Sequence, residues 1–160
     1  MKAPLASSPS IPVSWGELLD KLTILAIKRD RIATPDARAH VDTEYRLLQR
    51  AGSEALASGE LGQLVQRLER VNARLWEVED AIRKQEAIAD FGPAFIRLAR
   101  SVYRLNDQRA GIKREINDRL GSEIVEEKSY SRGDVGHGRG LSVHHAAPSL
   151  AAIGPVGNDR

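Results

Sequence analysis

Apolar residues recur along two segments of the chain at alternating intervals of three and four positions. The first set is Leu61, Leu64, Leu68, Val71, Leu75, Val78 and Ile82, and the second is Phe95, Leu98, Val102, Leu105, Ile112 and Ile116. This spacing is the seam along which helices pack in a coiled coil. Phe91, Gly92 and Pro93 break the pattern between the two segments. The sequence therefore predicts an antiparallel hairpin of two helices, each on the order of 40 Å long.

Two further helices are predicted before the hairpin. Ser14 and Glu17 have the S-x-x-E spacing of a capping box, and the apolar residues that follow them recur at helical intervals. This first helix is expected to pack along the hairpin. A second helix is predicted to begin with Thr34 as its cap and Pro35 at its first position, and to stop near Gly52.

Prolines and glycines divide the chain into three parts. Only Pro35 and Pro93 of the seven prolines fall between residues 13 and 130, and six of the 13 glycines follow residue 130. We predict a flexible N-terminal segment over residues 1–12, a helical domain over 13–130 and a disordered tail over 131–160, since the tail lacks large apolar side chains. The predicted fold class is all-α, a helical bundle of three to four helices built on the hairpin.

Composition excludes several kinds of chemistry. The chain has no Cys, so it can have no disulfide, no thiolate nucleophile and no Cys-ligated metal cluster. It has no stretch of about 18 apolar residues and no secretory signal pattern, which indicates a cytoplasmic protein that does not enter a membrane. The common phosphate-loop, dinucleotide, nucleophile-elbow and zinc-protease motifs are missing, and no cofactor is predicted.

Arg109 interrupts the seam of the last helix. A guanidinium in a helix interface needs a partner, and Arg109 shares a stripe with Asn106 and Lys113. Polar residues of the other helices could face this stripe. Read functionally, the set is a candidate binding site for a small anion, and it comprises Lys21, Lys28, Arg31, Asn72, Arg83, Asn106, Arg109 and Lys113. Read structurally, the same residues are an internal network that fixes helix register, or a solvated edge of the bundle.

Two other patterns are weaker signals. Asp36, His40 and Glu44 share one helical stripe, but no further ligand is identifiable, so no metal site is predicted. Arg97, Arg100 and Arg104 form a basic stripe. The formal net charge is only +2, and the aromatic residues that stack on bases are scarce, so nucleic acid is disfavoured as a partner. A surface stripe for an acidic partner, or one that serves only solubility, is favoured instead.

Four segments of the chain resemble a family of small bacterial helical proteins known only as a domain of unknown function. The segments are IPVSWGELLDKLTILAIKRDRI, NARLWEVEDAIRKQE, FIRLARSVYRLNDQRAGIKREIN and GSEIVEEKSY. The resemblance implies a compact helical protein and carries over no activity, ligand or catalytic residue. It ends at Tyr130, so any function of the tail would be peculiar to this protein.

Two hypotheses for function follow. The favoured one is a non-enzymatic helical module that assembles with itself or with a protein partner through the faces of its hairpin. The alternative is a small all-helical binder or enzyme that acts on a phosphorylated or carboxylated metabolite through the polar stripe. LLDKLTILAIKRDRI resembles the first helix of chorismate-mutase-type bundles, in which cationic side chains stabilise an anionic transition state. Analogy of fold does not by itself establish such a function.

Overall fold

The computed structural model describes residues 9–57 and 59–127. This part of the chain contains four helices and no strand: α1 (Trp15–Arg31), α2 (Pro35–Ala57), α3 (Gly62–Ala87) and α4 (Pro93–Leu120). The predicted all-α bundle of three to four helices is confirmed, with four helices in this part of the chain. Residues 1–8 of the predicted N-terminal segment and the whole of the predicted tail lie outside the described residues.

Helices α3 and α4 form the predicted hairpin. Gly92 caps the start of α4 with Pro93 at its first position, and Gly121 ends α4 in the left-handed conformation with a φ of 59°. The α3 seam is buried from Leu61 to Val78. On α4 only Ile112 and Ile116 of the seam are fully buried, while the positions nearer the turn are half-buried. The hairpin is therefore most tightly packed at the end away from its turn.

Helix α1 explains this gradient because it covers only part of the hairpin. Its last residue, Arg31, lies opposite Glu77 of α3. Helix α3 continues for ten more residues to Ala87, which is about 15 Å at 1.5 Å per residue. At the uncovered turn Phe91 meets Phe95 edge to face with ring centroids 5.2 Å apart, and 53% of Phe91 stays exposed. The turn of the hairpin thus projects beyond the rest of the bundle.

Helix α2 begins at Pro35 as predicted, but the predicted end near Gly52 is wrong. The helix continues to Ala57, and Gly52 is buried within it against α1. A Cβ atom at Gly52 would lie 3.1 Å from Cδ1 of Leu22. The close approach of the two helices thus explains this glycine. In a sequence, a glycine at such a contact looks the same as a glycine that ends a helix.

The first turn of α1 lies against the end of α4. Ser14 caps α1 as predicted, accepting a hydrogen bond from the backbone N–H of Glu17 at 3.2 Å. The N–H of Gly16 donates to Oδ1 of Asn117 at 2.6 Å. A Cβ atom at Gly16 would lie 2.6 Å from the carbonyl oxygen of Lys113, closer than real Cβ atoms come. Only glycine allows this contact between the two backbones.

We therefore expect Gly16→Ala to destabilise the protein by about 2–3 kcal/mol, because α1 must move away from α4 and lose a buried hydrogen bond. Gly111→Ala is the matched control, since an added Cβ there meets nothing within 4 Å. It should stabilise α4 by about 0.5–1 kcal/mol. Urea unfolding followed by circular dichroism measures both. Equal stabilities of the two variants would contradict the close-approach explanation.

Candidate functional site

A layer of buried polar side chains separates α1 from α3 and α4. Six polar residues are buried in the described chain: Ser14, Asp20, Thr23, Asn72, Lys113 and Asn117. Because an unpaired polar group in a protein interior is costly, each needs a partner. The partners lie within this layer or at its edge, and they join the three helices.

Asn72 of α3 is at the centre of this polar layer. Its amide donates to Oδ1 of Asp20 at 2.7 Å and to the hydroxyl of Thr23 at 2.9 Å. Arg109 of α4 completes the group, with Nη1 3.5 Å from Oδ1 of Asn72 and Nε 4.0 Å from Oδ2 of Asp20. The cation that interrupts the α4 seam thus lies beside the buried carboxylate of α1, where its charge offsets the cost of burying Asp20.

Lys113 lies one turn further along α4 and joins two carboxylates. Its ammonium contacts Glu17 of α1 and donates to Oε2 of Glu126 at 2.6 Å. Only 9% of the Lys113 side chain is exposed. This burial alone would lower the pKa of Lys113, but the hydrogen bonds and negative charges of Glu126 and Glu17 outweigh it and raise the pKa above a lysine's ordinary value. Glu126 follows α4, so Lys113 also ties that segment to the bundle.

The polar layer contains three of the eight predicted site residues, namely Asn72, Arg109 and Lys113. The other five lie elsewhere. Lys21 pairs with Glu44 of α2 at 3.0 Å, on the surface. Arg83 lies 3.5 Å from Glu79 of its own helix.

Three predicted residues remain on the flank of the bundle. Arg31 lies 3.8 Å from Glu77, with its guanidinium 5.8 Å from the ring centre of Trp76. Lys28 and Asn106 are half-buried, and their side chains make no hydrogen bond or ion pair within residues 9–57 and 59–127. The eight residues therefore do not converge on one cavity of the described structure.

The charges of the polar layer bear on what it can bind. Arg109 faces Asp20, and Lys113 faces Glu17 and Glu126, so two cations meet three carboxylates. A layer with this formal excess of negative charge does not attract an anion. It favours the structural interpretation, a network that fixes how the helices align. Binding of an anionic metabolite here stays a prediction.

A second feature is an open groove of about 570 Å³ between α3 and α4. Its lining combines an apolar floor, three arginines and a glycine: Val71, Leu105, Ile112, Arg67, Arg70, Arg74, Gln108, Gly111 and Glu115. On α3 the arginines flank one side of the buried seam, while Asn72 and Trp76 flank the other and face α1. The groove is thus on the face of the hairpin that α1 leaves open.

The sequence analysis did not predict this groove, although the spacing of its arginines was visible in the sequence. Arg67, Arg70 and Arg74 stand at i, i+3 and i+7, the same spacing that identified Arg97, Arg100 and Arg104. Both sets flank an apolar seam. Periodicity shows that such residues share a face, but it does not show whether another helix covers that face.

Two kinds of site are not found in the residues that the structure describes. No three His, Asp or Glu side chains lie close enough to hold a metal ion, and Glu44 of the candidate stripe pairs with Lys21 instead. None of the four helices is long and apolar enough to cross a membrane.

The fold and the polar layer define a class, an all-α bundle whose helices are joined by partly buried ion pairs and amide hydrogen bonds. The chain belongs to a family of unknown function, DUF6165, which it matches over residues 10–140. The match runs ten residues beyond Tyr130, so the expected end of the resemblance there is wrong. Comparison with curated proteins and with solved structures finds no match. Membership of a family of unknown function is thus confirmed, and it assigns no activity to the polar layer or to the groove.

If the polar layer aligns the helices, Asn72→Ala should lower the free energy of unfolding by about 2–3 kcal/mol, because Asp20 loses its closest donor. The double variant Asp20→Leu/Asn72→Leu should lose less than the sum of Asp20→Leu and Asn72→Leu, since Asp20 and Asn72 are hydrogen-bonded to each other and neither is then left without the other. Arg83→Ala is the surface control, expected within about 0.5 kcal/mol of the parent. Urea titrations measure the parent and these five variants, and an Asn72→Ala loss no larger than that of Arg83→Ala would contradict the assignment.

Lys113 gives a prediction on pH. Because its pKa is raised on folding, its charged form contributes stability below the ordinary lysine pKa of 10.5, and this contribution is lost as pH rises through the higher folded pKa. Lys113→Met should therefore be less stable than the parent at neutral pH, by about 1–3 kcal/mol. The difference should shrink above pH 10.5. Lys21→Met, at an exposed ion pair, should show little difference at any pH, and a pH-independent deficit for Lys113→Met would contradict the pairing.

Proposed function

We propose that this chain is a non-enzymatic helical interaction module, and that a helix of a partner protein seats in the groove between α3 and α4. The bacterial origin and cytoplasmic location inferred from the sequence are part of this proposal. The observation that carries it is the one-sided covering of the hairpin. Helix α1 packs on one face, while Leu105 remains only half-buried at the floor of the open face.

The shape of the groove supports a helical occupant. Two helices packed side by side leave a long furrow on each face, and α1 occupies the furrow on the other side. A further amphipathic helix in the open furrow would cover Leu105, which is half-buried, while Val71 and Ile112 beside it are already buried. In this kind of recognition, the apolar residues of the partner helix stand at i, i+3, i+4 and i+7.

Gly111 supports the same conclusion independently. A glycine inside a helix is less favourable than alanine by about 0.5–1 kcal/mol, so it needs a reason. Gly16 and Gly52 have one in the close approach of a neighbouring helix, but nothing lies within 4 Å of a Cβ atom at Gly111. Gly111 lines the groove, where the lack of a side chain would let a partner helix approach α4 closely.

A displayed library of helical peptides tests the proposal. The library varies apolar and flanking positions of a helix about 21 residues long, which spans about 30 Å. The full chain serves as bait and Gly111→Gln as counter-bait, since glutamine favours helix and projects polar bulk into the groove. We expect peptides with apolar residues at heptad spacing to be enriched on the parent, less enriched on Gly111→Ala, and not enriched on Gly111→Gln. Equal enrichment on all three baits, or none, would overturn the proposal.

A further inference from the structure

The charges around the open groove identify the kind of helix that it suits. Three arginines and one glutamate line it, so the lining carries a formal excess of positive charge. Arg67 makes two hydrogen bonds to Glu115, at 2.6 and 2.9 Å, which join α3 to α4 on this face. Arg74 pairs with Glu77 at 3.1 Å. Arg70 lies between them and has no carboxylate partner in the described part of the chain.

The cationic surface continues along α4. Gln108, Gly111 and Glu115 line the groove, and Arg97, Ser101 and Arg104 extend the same row toward the hairpin turn at intervals of four and three. Residues at these intervals lie on one face of a helix. The open face is therefore an apolar furrow with arginines along both of its edges, and the cations outnumber the carboxylates available to them.

We propose that the groove recognises an acidic amphipathic helix of a different protein, one whose apolar stripe is flanked by aspartate or glutamate. Arg70 is a residue that determines this specificity. The inference rests on the proposed function. Half-buried Leu105 and the aliphatic stems of the exposed arginines supply the contact area, and the guanidinium groups select the partner. Charges that flank an apolar helix interface set the choice of partner in this way in coiled coils.

A second copy of this chain does not meet the requirement. Symmetric pairing through the groove would bring together two faces with the same excess of arginine over glutamate, and like charges across an interface oppose association. The arginines along the groove are instead complementary to a row of carboxylates on a helix of a different protein.

Three synthetic helical peptides test this inference against the full chain. They share one apolar stripe and differ only at the flanking positions, which are all Glu, all Gln or all Lys. By fluorescence anisotropy at low salt the Glu peptide should bind at least about tenfold more tightly than the Gln peptide, and the Lys peptide most weakly. The preference should fall when ionic strength rises from about 0.05 M to about 0.5 M.

Arg70→Gln identifies the residue responsible. It should weaken binding of the Glu peptide by roughly three- to fivefold and leave that of the Gln peptide unchanged, as expected for one exposed ion pair. Arg83→Gln, on the same helix but outside the groove, is the matched control and should change neither. Both sites are exposed, so folding should be unaffected, which circular dichroism verifies.

The outcomes separate this inference from the proposed function. Equal binding of the Glu and Gln peptides, lost for both in Gly111→Gln, would overturn the acidic partner while leaving the interaction module standing. Binding of neither peptide would overturn both. Tighter binding of a single-stranded RNA than of the Glu peptide, weakened by Arg97→Gln and Arg104→Gln, would also overturn the inference, because it would assign the arginines to phosphates.

Discussion

The arrangement of this protein depends on how the N-terminus of α1 is anchored to the end of α4. The first N–H groups of a helix have no partner within it, and a buried helix start must find them elsewhere. Here Ser122 lies 3.4 Å from the N–H of Trp15, Asn117 accepts from Gly16, and Ser14 accepts from Glu17. Two of these three acceptors come from the end of α4. Anchoring at that point directs α1 back along α4 in the antiparallel sense.

The polar layer follows from this anchor. Once Gly16 lies against Asn117, the next turns of α1 bring Glu17 to Lys113 and Asp20 to Arg109, each about one turn further back along α4. A helix with only apolar residues on this face could slide or rotate on the hairpin at small cost. Charges and amides that must meet specific partners make other alignments unfavourable, which is how buried polar residues fix register in helical assemblies.

Local signals in the sequence predicted the helices well, while contacts between helices limited the prediction of the site. The start of α1, the two seams and the Gly-Pro turn depend on neighbours within a few positions, so periodicity and capping rules predict them. Glu17 shows the limit. Its spacing from Ser14 predicts a capping role, whereas its carboxylate contacts Lys113, 96 residues away. Likewise Gly52 has the sequence signature of a helix stop, and only the position of α1 reveals its role.

The same reasoning explains why the sequence suggested a binding site at the polar layer, whereas the proposed binding site is the groove. The sequence shows Arg109 on a seam and Arg70 beside one, and an interrupted seam draws attention to Arg109. In the folded chain the two sides of the hairpin differ because α1 covers one of them and supplies Asp20 and Glu17, which neutralise the cations there. The other side has no such helix, so its arginines remain in excess of its carboxylates. A net charge of +2 conceals this division. Carboxylates from α1 satisfy the covered face, and the open face still has apolar surface and positive charge available to a partner.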